Sequence, residues 1–160
     1  MRLGLICIGR LKAGPERELY QRYSERIAAL RRLGLEGLEL REIEESRAKL
    51  PAERMAREAE EILSFLPHDA ALLLFDEAGV AADSLNFAGF IKKERDSGRK
   101  ALWCAIGGSE GLAPSLQTRA QAIFSFGAMT LPHQLVRILA AEQIYRAMTI
   151  LSGHPYHRAG

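Results

Sequence analysis

Little in this sequence invites a covalent or electrostatic shortcut to a function. It has two cysteines in 160 residues, Cys7 and Cys104. They stand far apart with no C-x-x-C partner, so nothing in their spacing points to thioredoxin-type redox chemistry or to a cysteine-ligated zinc site. Both fall within apolar strand-like runs and read as reduced core residues. No apolar run approaches the roughly 20 residues that a membrane-spanning helix needs. The apolar start, Met1 to Gly9, is brief, closes on Arg10 and Lys12, and is followed by no small-residue cleavage site. It reads as a buried strand rather than a signal, and a cytoplasmic protein without membrane attachment is expected. Excess charge of one sign is missing too. With 22 Lys and Arg against 20 Asp and Glu, the formal net charge is only +2. A chain so balanced does not hold nucleic acid by charge alone, so any RNA contact must be local. No repeat or low-complexity tract is visible. A composition 48% hydrophobic and 26% charged is that of a soluble globular chain, long enough for one domain over 1–160 and too short for two of ordinary size.

Strand-like and helix-like stretches alternate, the pattern of an α/β domain on a mostly parallel sheet flanked by helices. After the first strand, Pro15 opens a helix whose Leu19, Tyr23, Ile27 and Leu30 share one face, and Gly34 stops it. Leu35 to Ile43 alternates as a half-buried strand, and Glu44 to Lys49 is a charged connection. Pro51 begins a second helix with Met55, Ala59, Ile62 and Leu63 inward, ending near Leu66-Pro67. Ala70 to Phe75 is an apolar strand of the kind buried on both faces, ending at Asp76-Glu77-Ala78-Gly79. A helix from Asp83 or Ser84 carries Phe87, Phe90 and Ile91 on one side and stops at Ser97-Gly98. Strands are expected over Ala101 to Ile106 and Ala122 to Phe126, with a short turn or helix begun at Pro114 between them. A last helix is expected over His133 to Leu151.

Three strand-to-helix junctions stand out: Phe75 to Gly79, Gly107 to Gly111, and Gly127 to Pro132. Ligands of parallel α/β sheets sit at the carboxyl ends of the strands, so these loops can line one pocket. Glycine lets backbone N–H and C=O groups approach a ligand closely, although glycine after a strand also simply makes a turn. Gly107-Gly108-Ser109-Glu110-Gly111 is not G-x-G-x-x-G, and Gly9 to Gly14 lacks the Lys-Ser or Lys-Thr of a P-loop, which disfavours ordinary dinucleotide and nucleoside-triphosphate sites.

Four ordered strings carry a resemblance: Ile106 to Leu112 (IGGSEGL), Leu131 to Arg137 (LPHQLVR), Glu142 to Ala147 (EQIYRA) and His154 to Arg158 (HPYHR). In letters and spacing they resemble the RlmH (YbeA) family of SPOUT methyltransferases. The resemblance implies a homodimer that transfers a methyl group from S-adenosyl-L-methionine to N3 of a pseudouridine in 23S ribosomal RNA, in a stem-loop bridging the ribosomal subunits. It also implies a C-terminal trefoil knot, with the knotted cofactor-binding part at about 70–160. General topology rules treat such a knot as a rare exception. By position it implies cofactor contacts from Leu74 and Phe75, from Gly108, and from Gly127, Ala128, Met129, Thr130, Leu131 and Pro132.

The chemistry required is modest: hold donor and acceptor in line, exclude water and help remove the imino proton, with no metal. Candidate catalytic or orienting groups are His133, Arg137, Tyr156, His157 and Arg158. Each has a plainer reading. His133, in the first turn of the last helix, can serve only the neighbouring loop. Arg137, one turn on, can pair with a carboxylate, and Glu142 with Arg146 fits a helix-surface ion pair. In the terminal string Tyr156 can stack on an unpaired base while His157 and Arg158 hold phosphate; His154 with His157 as a metal pair lacks a third ligand. Leu135, Val136, Leu139, Ile144, Met148 and Leu151 read as core or dimer contacts. Basic clusters at Arg31-Arg32, Lys92-Lys93-Arg95 and Arg99-Lys100 can widen an RNA footprint or be solvated helix ends. A dimer that brings two tails and a shared basic face together would compensate for the low charge of each chain. A non-catalytic ribosome-binding or assembly factor with the same fold is the alternative function.

Overall fold

A computed structural model describes residues 1–30 and 33–157. The basic pair Arg31-Arg32 and the terminal Arg158 lie outside the described residues. Five strands, β1 (Arg2–Ile8), β2 (Glu36–Ile43), β3 (Ala71–Ala81), β4 (Ala101–Ile106) and β5 (Ala122–Ser125), form one sheet of order β2-β1-β4-β3-β5. All four pairings are parallel, as the alternation of elements requires, so every strand ends at the same edge. The helices are α1 (Pro15–Ala29), α2 (Pro51–Phe65), α3 (Ser84–Asp96), α4 (Pro114–Arg119) and α5 (His133–Leu151). Proline opens α1, α2 and α4, where its missing N–H leaves nothing unpaired. Asp83 caps α3 by accepting from the Asn86 N–H at 2.7 Å, and Gly98, at φ +83°, follows its end.

Strand periodicity divides the interior in two. Leu3, Leu5 and Cys7 of β1, Leu73 and Phe75 of β3, and Leu102, Cys104 and Ile106 of β4 face α1, α3 and α5. The intervening Ile6, Ile8, Leu72, Leu74, Trp103 and Ala105 face α2 and α4. That is why the central strands read as unbroken apolar runs: both faces are covered. Cys7 and Cys104 are free and fully buried. Burial pushes each thiol up to about 12, against a pull on Cys7 from the Arg137 charge.

Two expectations change. On α1 the buried residues are Tyr20 and Ile27, while Leu19 stands at the surface at 36% exposure. Tyr23, Ile27 and Leu30 of the expected face pack on the core, and Tyr20 takes the place expected of Leu19. More consequentially, β3 does not end at Phe75 but runs to Ala81. Phe124 of β5 lies opposite both Phe75 and Val80, so residues 76–79 form an irregular excursion within the strand, its turn closed by the Ala78 N–H donating to the Asp76 carboxylate at 2.9 Å. Gly79 is pressed on the backbone of β5: a Cβ there would stand 2.8 Å from main-chain atoms of Ile123 and Phe124.

Because neither backbone can move alone, Gly79→Ala is expected to destabilise the fold by roughly 1–3 kcal/mol. Gly89→Ala on the exposed face of α3, where the new methyl meets nothing within 4 Å, is expected to stabilise it by up to about 1 kcal/mol. Denaturant unfolding of both variants checks the pair.

Candidate active site

The edge at which all five strands end carries a cleft of about 720 Å³ over β4, β3 and β5, within the range of small-molecule sites. The three junctions singled out from the sequence converge on it. Phe75, Asp76 and Glu77 come from β3, Gly107 to Leu112 from the loop after β4, and Phe126, Gly127 and Met129 to Pro132 from the loop after β5. Helix α5 starts beneath that last loop, and its first turn adds His133 and Val136.

Local chemistry holds each wall. Phe75 and Phe126 stack at 4.7 Å between centroids and 21° between planes, a rigid apolar side. Ser125 fixes the turn out of β5: its hydroxyl donates to the Gly127 carbonyl at 2.9 Å and accepts from the Gly127 N–H at 3.0 Å. Gly127 takes φ +126°, a backbone region that favours glycine. In the β4 loop, Gly108 and Gly111 bridge each other. A Cβ on Gly107 would stand 2.6 Å from the Gly111 carbonyl, and one on Gly108 would stand 3.1 Å from Ile8. These glycines let the loop fold on itself as much as they let a ligand approach.

Of the expected cofactor residues, Phe75, Gly108, Gly127, Met129, Thr130, Leu131 and Pro132 line the cleft. Leu74 does not; its side chain is fully buried in the core toward α2 and α4, so only its main chain is near the site. Ala128 is exposed on the same loop but is not among the lining residues. Ser125 and Gln117 line the cleft without having been anticipated. Ser125 had a signal, a hydroxyl closing an apolar strand two residues before a glycine. Gln117 had none beyond its place on α4.

The proposed catalytic set is dispersed. His133 is on the cleft wall. Arg137, one turn further, points away and is 1% exposed. Its guanidinium donates to Glu42 Oε1 at 2.5 Å and to the Gly9 carbonyl at 3.0 Å, so in this chain it is a buried pair rather than a free phosphate contact. Tyr156 is also tied down. Its hydroxyl donates to Glu142 at 3.1 Å, its ring meets Tyr145 edge-on at 4.8 Å, and the Arg146 guanidinium lies 4.9 Å from its centroid. Burial and the Glu142 carboxylate push its phenol up to about 12. Glu142 and Arg146 form the anticipated i,i+4 ion pair at 2.6 Å. The His157 Nδ1 is buried and has no hydrogen-bond partner among the described residues. Among the other basic clusters, Arg95 pairs with Asp96 and Arg99 with Glu94. No group of three or more potential metal ligands occurs among the described residues, and among them no helix is long and apolar enough to cross a membrane.

The family model described as "Predicted SPOUT methyltransferase" matches residues 1–157. The chain belongs to the SPOUT methyltransferase family. Relatives resemble this SPOUT chain over nearly its whole length. A ribosomal RNA large subunit methyltransferase H of Methylocella silvestris is 58% identical over 99% of both chains. One of Sinorhizobium fredii is 53% identical over 99% of this chain and all of its own. Among solved structures, a probable methyltransferase from Bordetella pertussis Tohama I shares the fold at TM-score 0.53 and 16% identity, over 91% of this chain and 95% of that one. A ribosomal RNA small subunit methyltransferase E from Neisseria gonorrhoeae, bound to S-adenosyl methionine, aligns at TM-score 0.50 and 14% identity over 93% of this chain and 66% of that one.

Removing Arg137 from its pair would leave Glu42 partly buried and unpaired. Arg137→Met is therefore expected to lower stability by about 3 kcal/mol, and Arg137→Met with Glu42→Leu by less than Arg137→Met alone. Unfolding free energies of the two variants check this; a double variant worse than the single would remove the pair's structural role.

Proposed function

We propose that this SPOUT chain methylates N3 of a pseudouridine in 23S ribosomal RNA, with S-adenosyl-L-methionine as donor bound in the cleft at the carboxyl edge of the sheet. The observation that carries the reading is the convergence of the β3, β4 and β5 junctions on one cleft lined by aromatic and aliphatic side chains and by glycine-rich loop backbone. That mixture suits an adenosine: the Phe75, Ile106 and Leu131 side can cover the base, while loop N–H and C=O groups meet its edges and the ribose hydroxyls. Relatives that carry the name ribosomal RNA large subunit methyltransferase H, alike over 99% of this chain, support the substrate class. The Neisseria protein bears the proposed cofactor.

The cofactor supplies an activated methyl group. The chain's own work is to hold that group in line with the target nitrogen, keep water away and receive or redirect the imino proton. His133 is the titratable side chain on the α5 side of the cleft and the residue we assign to orienting or deprotonating the base. Asp76 and Glu77 put negative charge around a cleft that would receive a cationic donor, a favourable match of sign.

Tyr156 and His157, with Arg158, are assigned to the RNA. Tyr156 packs near Glu142 and Tyr145, and Glu142 lies nine residues along α5 from His133, roughly 13 Å by helical rise. A tail docked there reaches a cleft more readily on a second copy than on its own, which supports a homodimer. Leu135 and Leu139, one turn apart on α5 and 44% and 37% exposed, offer the apolar surface such a dimer would cover. The knot and a cytoplasmic site of action belong to the same reading.

Calorimetry with S-adenosyl-L-methionine should show micromolar binding. Labelled methyl should pass to ribosomes carrying pseudouridine at the target and not to ribosomes with uridine there; equal labelling of both would remove the base specificity. Tyr156→Ala is expected to lower methyl transfer at least tenfold while cofactor affinity changes by less than twofold, on the order of one stacking contact.

A further inference from the structure

Helix α2 reaches the cleft only indirectly, yet two of its residues hold the loop that forms one wall. Arg54 and Glu58 are four residues apart and so share a face. The Arg54 guanidinium donates to Glu110 Oε1 at 2.5 Å, inside the Gly107–Gly111 loop. Its other nitrogen donates to the carbonyls of Ala48 and Lys49 at 3.0 and 3.2 Å, in the charged β2–α2 connection. Glu58, 7% exposed, accepts from the Ser46 N–H of the same connection at 2.9 Å. Its second oxygen lies 3.9 Å from where a Gly108 Cβ would stand. One helix face therefore grips two loops at once.

We propose that Arg54 is a positioning residue for the cofactor wall, acting through Glu110 to hold the Gly107–Gly111 loop in its binding shape. The inference rests on the assignment of the cleft to S-adenosyl-L-methionine. Of the ion pairs at this edge, Arg54–Glu110 is the one whose acid sits in a cleft-lining loop. Arg10–Glu44, at 2.9 Å, is instead a fully solvated pair with both side chains about 70% exposed. Beyond the packing of Gly107 on the Gly111 carbonyl and of Gly108 on Ile8, the Gly107–Gly111 loop is held by few polar contacts of its own. Its internal bond is a single Gly111 N–H to Gly108 carbonyl contact at 3.2 Å, and glycine backbone loses the most freedom on ordering. Without Arg54 the loop would have to be ordered by the ligand itself, and affinity would fall accordingly.

The test is calorimetry of S-adenosyl-L-methionine with the full chain and with Arg54→Ala, Glu110→Ala and the double variant, together with kcat at saturating cofactor and thermal melting. Each single variant should bind roughly fivefold more weakly, the factor carried by a partly exposed hydrogen-bonded pair. The double variant should lose no more than Arg54→Ala, because both act through one contact, while Arg54→Ala, at a residue outside the cleft lining, keeps kcat at saturating cofactor and melting temperature near wild type. Wild-type affinity in Glu110→Ala, or losses that multiply in the double variant, would overturn the inference alone. Failure of the wild-type chain to bind would overturn the cofactor assignment and the inference with it.

Discussion

A buried positive charge organises this molecule. Arg137 is the largest side chain that the fold encloses completely, and an arginine cannot shed its charge to escape the interior. It is tolerated because the exits of two strands are arranged around it: the Glu42 carboxylate at the end of β2, and the Ile8 and Gly9 carbonyls at the end of β1. Glu42 is shared, since its Oε1 also accepts from the Leu11 N–H at 2.7 Å. The start of α5, the exits of β1 and β2 and the first loop are thus fixed to one another by a single polar knot of contacts. Val136 and His133, which border the cleft, sit within one turn of it. The position of the α5 wall therefore follows from an interaction on the far side of the helix.

That arrangement also explains the chemistry around it. Cys7 and Tyr20 lie close enough to feel the Arg137 and Glu42 charges, yet burial dominates and drives both groups' proton affinities upward. They stay neutral in the working range of pH, so neither adds a charge beside the guanidinium. The cost of enclosing ions is offset by hydrogen bonds rather than by solvent, and the orphaned Tyr20 hydroxyl and Arg137 Nε mark where that satisfaction stops short.

Much of the fold could be read from residue pattern because it depends on short-range chemistry. Pro15, Pro51 and Pro114 each begin a helix as expected, Asp83 caps α3, and β4 and α5 match their expected bounds. The two-sided apolar runs of β1, β3 and β4 announce a covered parallel sheet. What was not legible depends on partners distant in the chain. Glu42 stands 95 residues from Arg137, and nothing local distinguishes it from the other glutamates of β2 and its exit. The arginine consequently read equally well as an RNA contact or as half of an ion pair. Tyr156 read only as a base-stacking residue, and its hold on Glu142 and Tyr145 depends on a chain reversal after Gly153.

The glycines show most clearly where residue pattern runs out. Gly79, Gly107, Gly108 and Gly127 were all legible as backbone that must be approached closely or bent unusually, and all lie at the edge where the cleft forms. The pattern could not say what does the approaching. At Gly79 it is the main chain of β5, and at Gly107 it is the carbonyl of Gly111. At Gly127 the constraint is instead its own φ of +126°. Gly108 and the loop from Gly127 to Pro132 line the cleft with no strand backbone pressed on the glycines. A run of glycines after a strand therefore records two demands together, close passage of chain over chain and close passage of chain over ligand. In a fold that crowds its carboxyl edge as this one does, the first demand makes the second site possible: packing Gly79 on β5 draws the β3 and β5 exits together, and Phe75 then stacks on Phe126 to wall the cleft.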